Sequence, residues 1–167
     1  MSLWDALKSK SPETEERFKT VEDLAKRGHS RAFELIVKSL ADEDAQVRCT
    51  AVKSLAELRD EQSVQALMYA TEDSSGEVRE AAAIALGQLG DPQATGQLAH
   101  LLNDSKDAVR ISAGTALKSL GWTPTTRDEK ATFEVALEKA RDAAQAGKAA
   151  SFVLRGSISE WCCEVRG

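Results

Sequence analysis

Residues 47–58 read VRCTAVKSLAEL, and the chain repeats this pattern twice more at a step of 31 residues. The matched positions are Val47, Arg48, Ala51, Leu55 and Leu58, then Val78, Arg79, Ala82, Leu86 and Leu89, then Val109, Arg110, Ala113, Leu117 and Leu120. An Asp precedes each Arg by six residues, at Asp42, Asp73 and Asp104. Self-similarity at a fixed period of about 20 to 50 residues is the signature of repeats that stack side by side. The sequence therefore predicts an all-α solenoid.

Each repeat combines a shorter first helix with a longer second helix. The apolar spacing predicts first helices over about 31–41, 62–72 and 93–103, and second helices over about 45–58, 76–89 and 107–120. The predicted repeats span 30–60, 61–91 and 92–121. We expect Asp44 and Ser75 to cap two of the second helices, and Ser105 or Asp107 to cap the third, where Lys106 breaks the pattern. Gly90, Gly121 and Arg59 stand where helices commonly end in a left-handed residue.

Further helical sequence flanks the repeats on both sides. Residues 12–29 align Arg17 with Arg48 and Leu24 with Leu55, which predicts a diverged N-terminal repeat or cap. Thr126 and Glu129 form a capping-box pattern that opens a closing helix over 126–146, so the predicted repeat domain spans 1–147. The tail, 148–167, is either a remnant of a longer segment or a short amphipathic helix with an apolar stripe of Ile158, Trp161, Cys162 and Val165.

The composition restricts the class of function. A formal net charge of -5 and a pI of about 5.2 disfavour nucleic-acid binding, because neutralising phosphates requires a surplus of Lys and Arg. A local basic patch remains compatible with that average. The sequence has no apolar run of about 18 residues that predicts a membrane span, and its N-terminus lacks a secretory signal pattern. Three cysteines, two of them adjacent, fit a reducing compartment, so we expect a cytoplasmic protein.

The repeated motif resembles the HEAT repeat in its Asp-to-Arg step, in the Val before the Arg and in its Ala and Leu spacing. The stretch VREAAAIALGQLGDPQA, at 78–94, is most similar to the short variety called phycobilisome-lyase (PBS-lyase) HEAT-like repeats. The resemblance covers 30–121 well and 12–29 in part. It implies a right-handed stack of antiparallel helix pairs, closed by capping helices, with the second helices lining the concave side. Proteins of this kind are mostly adaptors, and the repeat by itself implies no lyase activity.

The most regular polar set comprises Asp42, Asp73 and Asp104 with Arg48, Arg79 and Arg110. One interpretation is a row of arginines that binds anions. The interpretation we favour is a structural ladder, in which each Asp accepts from an Arg and from backbone donors at the turn and so links neighbouring repeats. The guanidinium suits such a joint because it presents five donors in a fixed fork.

Other reactive side chains do not form a recognisable catalytic or metal site. Some HEAT-like enzymes hold a di-iron centre on His-Glu pairs, but this chain has no His-Glu dipeptide, and His29 and His100 are not repeat-equivalent. Cys49, Cys162 and Cys163 lack the paired spacing of a zinc site. The adjacent Cys162 and Cys163 are either redox-active or, as we favour, apolar packing residues. We therefore expect no cofactor and no metal.

The second helices leave a row of positions that the packing pattern does not use. From these we predict a partner-binding face made of Lys53, Glu57, Ile84, Gln88, Thr115 and Ser119, with Thr50, Ala81 and Ser112 in the same row. This row is mixed and nearly neutral, and Ile84 is expected to be its exposed apolar residue. It suits a protein or peptide partner or a plain solvated surface.

We therefore expect a non-enzymatic adaptor or scaffold that presents a concave helical face to a protein or peptide. The alternative, by analogy with phycobilin lyase chains of the same repeat type, is an enzyme-associated subunit that holds a chromophore or its acceptor protein. No residue independently supports bilin chemistry. The sequence leaves the identity of the partner and the oligomeric state open.

Overall fold

The structure, a computed structural model, describes residues 19–20, 30–59 and 61–146, and its regular elements in these ranges are all helical. The predicted all-α class is thereby confirmed. The elements in chain order are α1 (Ser30–Ser39), α2 (Ala45–Leu58), α3 (Glu61–Ala70), α4 (Gly76–Leu89), a 3-10 turn (Pro92–Ala94), α5 (Thr95–Leu101), α6 (Asp107–Ser119) and α7 (Arg127–Gln145).

Two predicted segments fall mainly outside the described residues. The diverged repeat at 12–29 is described only at residues 19–20, which are helical, and the tail at 148–167 is not described. Arg17, Leu24, His29, Cys162 and Cys163 belong to these segments, so their predicted roles stay predictions.

The short helices α1, α3 and α5 alternate with the long helices α2, α4 and α6, which makes three helix pairs. Their apolar positions recur with the step seen in the sequence, and each set is almost fully shielded from solvent. The equivalent core residues, all between 0 and 1% exposed, are Ile36, Leu67 and Leu98 on the short helices and Val47, Val78, Val109, Leu55, Leu86 and Leu117 on the long ones. The long helices also pack extensively against one another, α2 on α4 and α4 on α6, so the core runs continuously through the solenoid.

The helix starts follow the local sequence in most cases, with two corrections. Asp44 caps α2 by accepting from the backbone N–H of Gln46 at 2.7 Å, and Thr126 and Glu129 form the predicted capping box at the start of α7. Ser75 stands at the N-cap of α4 but makes no side-chain capping bond, and its own N–H donates to Asp73 at 2.7 Å. Lys106, not Ser105 or Asp107, is the N-cap of α6.

The helix ends adopt the left-handed backbone expected from their positions. Arg59, Gly90 and Gly121 have φ values of 50°, 73° and 68°. After α6 the N–H of Gly121 bonds to the carbonyl of Lys118 at 3.1 Å, and that of Trp122 bonds to the carbonyl of Leu117 at 3.0 Å. These two bonds make a Schellman motif, which satisfies the last carbonyls of the helix and turns the chain toward α7.

Helix α7 packs its apolar face on α6. Ala136 is 2% exposed at this contact, and the rings of Phe133 and Trp122 meet edge to face with centroids 5.4 Å apart. Its opposite face is mostly charged or polar, with Val135 as an exposed apolar exception. Helix α7 thus buries one apolar side against α6 and keeps a mostly polar side away from it, and its predicted closing role stays a prediction.

Two glycines inside long helices allow neighbouring helices to approach closely. A Cβ added at Gly87 would lie 2.7 Å from the Cβ of Ala116 and 3.0 Å from its Cα, and one added at Gly114 would lie 2.8 Å from the Cβ of Ala136. Glycine in a helix interior costs about 1 kcal/mol relative to alanine. Here the missing methyl group permits the contacts of α4 with α6 and of α6 with α7.

We predict that Gly87→Ala lowers the free energy of unfolding by about 1–3 kcal/mol, because α4 and α6 must move apart to admit the methyl group. Gly96→Ala is the matched control. Gly96 lies in α5 with no atom within 4 Å of an added Cβ, so this change should stabilise the chain by about 0.5–1 kcal/mol. Urea titration of both variants measures the difference, and equal stabilisation by both would contradict the close approach.

Candidate functional site

An arginine of the second helix joins the turns of two successive repeats. The guanidinium of Arg48 donates from Nε and Nη2 to the two carboxylate oxygens of Asp73, at 2.7 and 2.8 Å. Its Nη1 donates to the backbone carbonyl of Asp42 at 2.8 Å and to that of Glu43 at 3.1 Å. Asp42 and Glu43 belong to the turn of Arg48's own repeat, whereas Asp73 belongs to the next turn. One side chain therefore fastens two repeats together.

The same geometry recurs one repeat later, where Arg79 donates to the carboxylate of Asp104 at 2.7 and 2.9 Å and to the carbonyl of Asp73 at 2.7 Å.

The pKa of Asp104 is lowered, chiefly by the hydrogen bond from Arg79. Burial opposes ionisation of Asp73, but hydrogen bonds from Arg48 and from the N–H of Ser75 outweigh it and lower the pKa of this carboxyl as well. Both acids are thus held as carboxylates by the groups they join.

The series changes at Arg110. In the two complete pairs the Asp lies 25 residues after the Arg. The residue 25 positions after Arg110 is Val135, which has no carboxylate to accept from the guanidinium. Arg110 keeps the bond to the carbonyl of Asp104, but its guanidinium pairs with Asp107 on its own helix. Asp107 also pairs with Lys139 of α7, at 2.9 Å. The last arginine therefore stays within its own repeat, and the link to α7 is made through Asp107.

The predicted set of six Asp and Arg residues is thus brought together along one edge of the solenoid. The forks of Arg48 and Arg79 are filled by carboxylates and carbonyls of the chain itself, with side chains only 12 and 14% exposed. An anion-binding row would need open forks at these positions. The other predicted site is the row of side chains on the long helices.

The six residues predicted for partner binding have three different environments. Glu57, Gln88 and Ser119 are exposed, and Lys53 and Thr115 are half-buried. Ile84 is only 5% exposed, so the expectation of an exposed isoleucine is wrong. Its helix α4 has long helices packed on both flanks, and these neighbours shield Ile84 from solvent.

Three further positions of the predicted row are buried between helices. Thr50, Ala81 and Ser112 are 5, 0 and 4% exposed. All three are small, and small side chains at repeat-equivalent positions indicate a close helix–helix contact. The preceding positions are Cys49, Glu80 and Ile111, of which Cys49 is buried and the other two are half-buried.

Sequence reasoning missed Glu80 and Ile111 because it assigned the first position of the row to Thr50, Ala81 and Ser112, one residue later, whereas the other positions of the row are accessible except at Ile84. The signal was available, since these positions differ in chemical type between repeats while the following ones are uniformly small. We give the name second-helix surface to eight accessible residues of the long helices: Lys53, Glu57, Glu77, Glu80, Gln88, Ile111, Thr115 and Ser119.

Glu80 has the most unusual electrostatic environment on the second-helix surface. Burial raises its pKa to about 7, against a hydrogen bond from Ser112 that favours the charged form, and the nearby Glu77 adds to the increase. The Ser112 hydroxyl is 3.5 Å from the carboxylate, at the limit of hydrogen bonding. The carboxyl is therefore only weakly stabilised in its charged form.

Within the described ranges, no three His, Cys, Asp or Glu side chains are grouped so that they could hold a metal ion. Among the same residues, no helix has the length and apolar character needed to cross a membrane.

We predict that Arg79→Ala lowers the free energy of unfolding by about 2–4 kcal/mol, because it leaves the largely buried Asp104 carboxylate without its cation. Arg79→Lys should recover little of this loss, because an ammonium cannot donate as a planar fork. Arg110→Ala is the control and should cost about 1 kcal/mol or less, since its ion pair is more exposed and lies within one repeat. Chemical denaturation that finds equal losses for Arg79→Ala and Arg110→Ala would contradict a joint between repeats.

Glu80 should make the chain less stable as the pH rises. Its pKa is 4.5 when unperturbed and about 7 in the folded chain, so the folded state binds the proton more tightly than the unfolded state does. The folded state therefore loses stability as the pH rises from 4.5 to about 7. Glu80→Gln should therefore raise the free energy of unfolding by about 1–3 kcal/mol at pH 8 and by much less at pH 5. A constant difference between wild type and Glu80→Gln across pH 5–8 would refute this assignment.

Comparison with known proteins agrees with the repeats seen in the structure. The sequence model of the family described as HEAT repeats matches three overlapping ranges, residues 2–73, 33–118 and 64–146. The match does not distinguish the PBS-lyase variety. A search of the curated proteins finds no match. The matched ranges together cover most of the chain and include every helix pair described above, so the chain belongs to the HEAT repeat family.

Proposed function

We propose that the chain is a non-enzymatic, cytoplasmic adaptor that binds a protein or peptide partner on the second-helix surface. HEAT repeats generally mediate protein–protein interaction, which supports a binding role. The observation that carries the proposal is the side-by-side packing of three long helices, which presents repeat-equivalent side chains as one continuous surface. Lys53 and Thr115 are equivalent positions of this surface, as are Glu57, Gln88 and Ser119.

The joints between repeats support the same proposal. Each complete Arg–Asp pair fixes two successive turns and therefore the relative position of two long helices. A surface that is rigid before binding loses less conformational entropy when a partner is bound. The ladder thus favours recognition without contacting the partner.

The character of the surface suits a partner that binds reversibly. Its accessible residues are mostly polar, and the buried Ile84 on α4 and the half-buried Ile111 on α6 lie among them. Non-obligate interfaces typically combine a small apolar centre with a polar, hydrated rim. No described residue specifically favours the alternative of a subunit that holds a chromophore, and the adaptor is therefore the function we adopt.

Photo-crosslinking tests the location of the binding surface. Benzoylphenylalanine at Gln88, which is exposed on α4, should form an adduct with a protein in an extract of the source cells. The same group at Tyr69, which is 72% exposed on the short helix α3, is the control and should form none. Adducts at Tyr69 in the absence of adducts at Gln88 would move the binding surface to the short helices.

A further inference from the structure

We infer that the surface where α4 and α6 meet binds a Lys or Arg side chain of the partner, with the Glu80 carboxylate as its ion-pair acceptor. The inference rests on the proposed function and names the chemistry of the partner: a peptide segment that carries a basic side chain at the point of contact.

Glu80 lies in a position from which it can reach an incoming side chain. It is on the outer face of α4, one turn before Ile84, and is half-buried. Its Oε1 has one long contact, 3.5 Å from the hydroxyl of Ser112 on α6. Its Oε2 accepts no hydrogen bond from the described residues. An ionised carboxylate has about four acceptor sites, so most of its capacity is available to a ligand.

The charges around Glu80 do not compensate its own. On α4 the acidic Glu77 faces Glu80, and on α6 the neutral Ser112 faces it. No described Lys, Arg or His of α2, α3 or α6 forms an ion pair with Glu80. Asp73 and Asp104 differ from Glu80 in this respect, because each of their carboxylates pairs with the guanidinium of an arginine. A partly buried carboxylate without a cation is costly, and a cation supplied by the partner would offset that cost.

The surroundings of the carboxylate fit the stem of a basic side chain. Ile84 lies one turn after Glu80 on α4, and Ile111 lies on α6 next to Ser112, which contacts Glu80. Lys and Arg place their methylene stems on apolar surface while the charged end reaches a polar partner. The net charge of -5 also favours the approach of a basic segment.

The test uses peptides selected from a phage-displayed library of random 12-residue sequences without histidine. Peptides that bind the wild-type chain should be enriched in Lys or Arg. Their affinities, measured by fluorescence anisotropy, should fall at least about tenfold on Glu80→Gln and no more than about twofold on Glu34→Gln, which changes an exposed acid of the short helix α1. Glu80→Gln is expected to stabilise the fold, so a loss of binding cannot be attributed to unfolding. Replacing the peptide's basic residue by norleucine should remove the effect of Glu80→Gln.

The pH dependence gives an independent measurement. The pKa of Glu80 is raised to about 7, so the fraction of the ionised form falls about tenfold from pH 8 to pH 6. A partner cation binds the ionised form, and affinity for a selected peptide should fall by a similar factor over this range. In Glu80→Gln the affinity should be nearly independent of pH.

The outcomes separate this inference from the proposed function. Selected peptides that crosslink to position 88, yet carry no excess of basic residues and bind Glu80→Gln as tightly as wild type, would overturn the inference and leave the adaptor function standing. Peptides that crosslink only to position 69, or a library that yields no binder, would count against both.

Discussion

The structure depends on a single repeated contact, the arginine fork that binds the carboxylate of the following turn and the carbonyl of its own. Each turn between a short and a long helix exposes backbone groups that the helices cannot satisfy. Asp73 and Asp104 satisfy the N–H groups of Ser75 and Lys106, and the arginines satisfy carbonyls in the same turns. The fork thus completes the local hydrogen bonding and joins the repeats with the same atoms. Apolar packing alone would hold the repeats together but would allow them to slide.

Much of the fold follows from the sequence because its determinants are local and repeated. The bounds of α2 and α4 agree with the periodicity, since Val47, Leu55 and their equivalents define a buried stripe at every repeat. The partner of each arginine could not be predicted in the same way. The 31-residue period places one Asp six residues before Arg79 and another 25 residues after it. Only packing determines which of the two carboxylates reaches the guanidinium. Ile84 shows the same limit, because its burial results from the helices on either side of α4.

Two kinds of carboxylate in this chain respond to acid in opposite directions. Asp73 and Asp104 have lowered pKa values because arginines hold their charge, and their contribution to stability is lost only when the pH falls far enough to protonate them. Glu80 has a raised pKa because burial opposes its charge and no described cation pairs with it. The structural acids are therefore ionised throughout the neutral range, whereas the acid on the second-helix surface titrates within it. The structural carboxylates have an arginine as counter-ion, whereas Glu80 pairs with no cation among the described residues.

The glycine at position 87 has a consequence for how such a surface can diverge. The equivalent position holds Ala56 one repeat before and the exposed Lys118 one repeat after, so among the three long helices α4 alone has glycine there. The missing side chain at Gly87 permits the close approach of α4 and α6. A methyl group added at that site would change the spacing between the side chains of α4 and those of α6 while leaving their identities unchanged. Ligand selectivity in this solenoid can therefore evolve through the distance between helices as well as through the residues that touch the ligand.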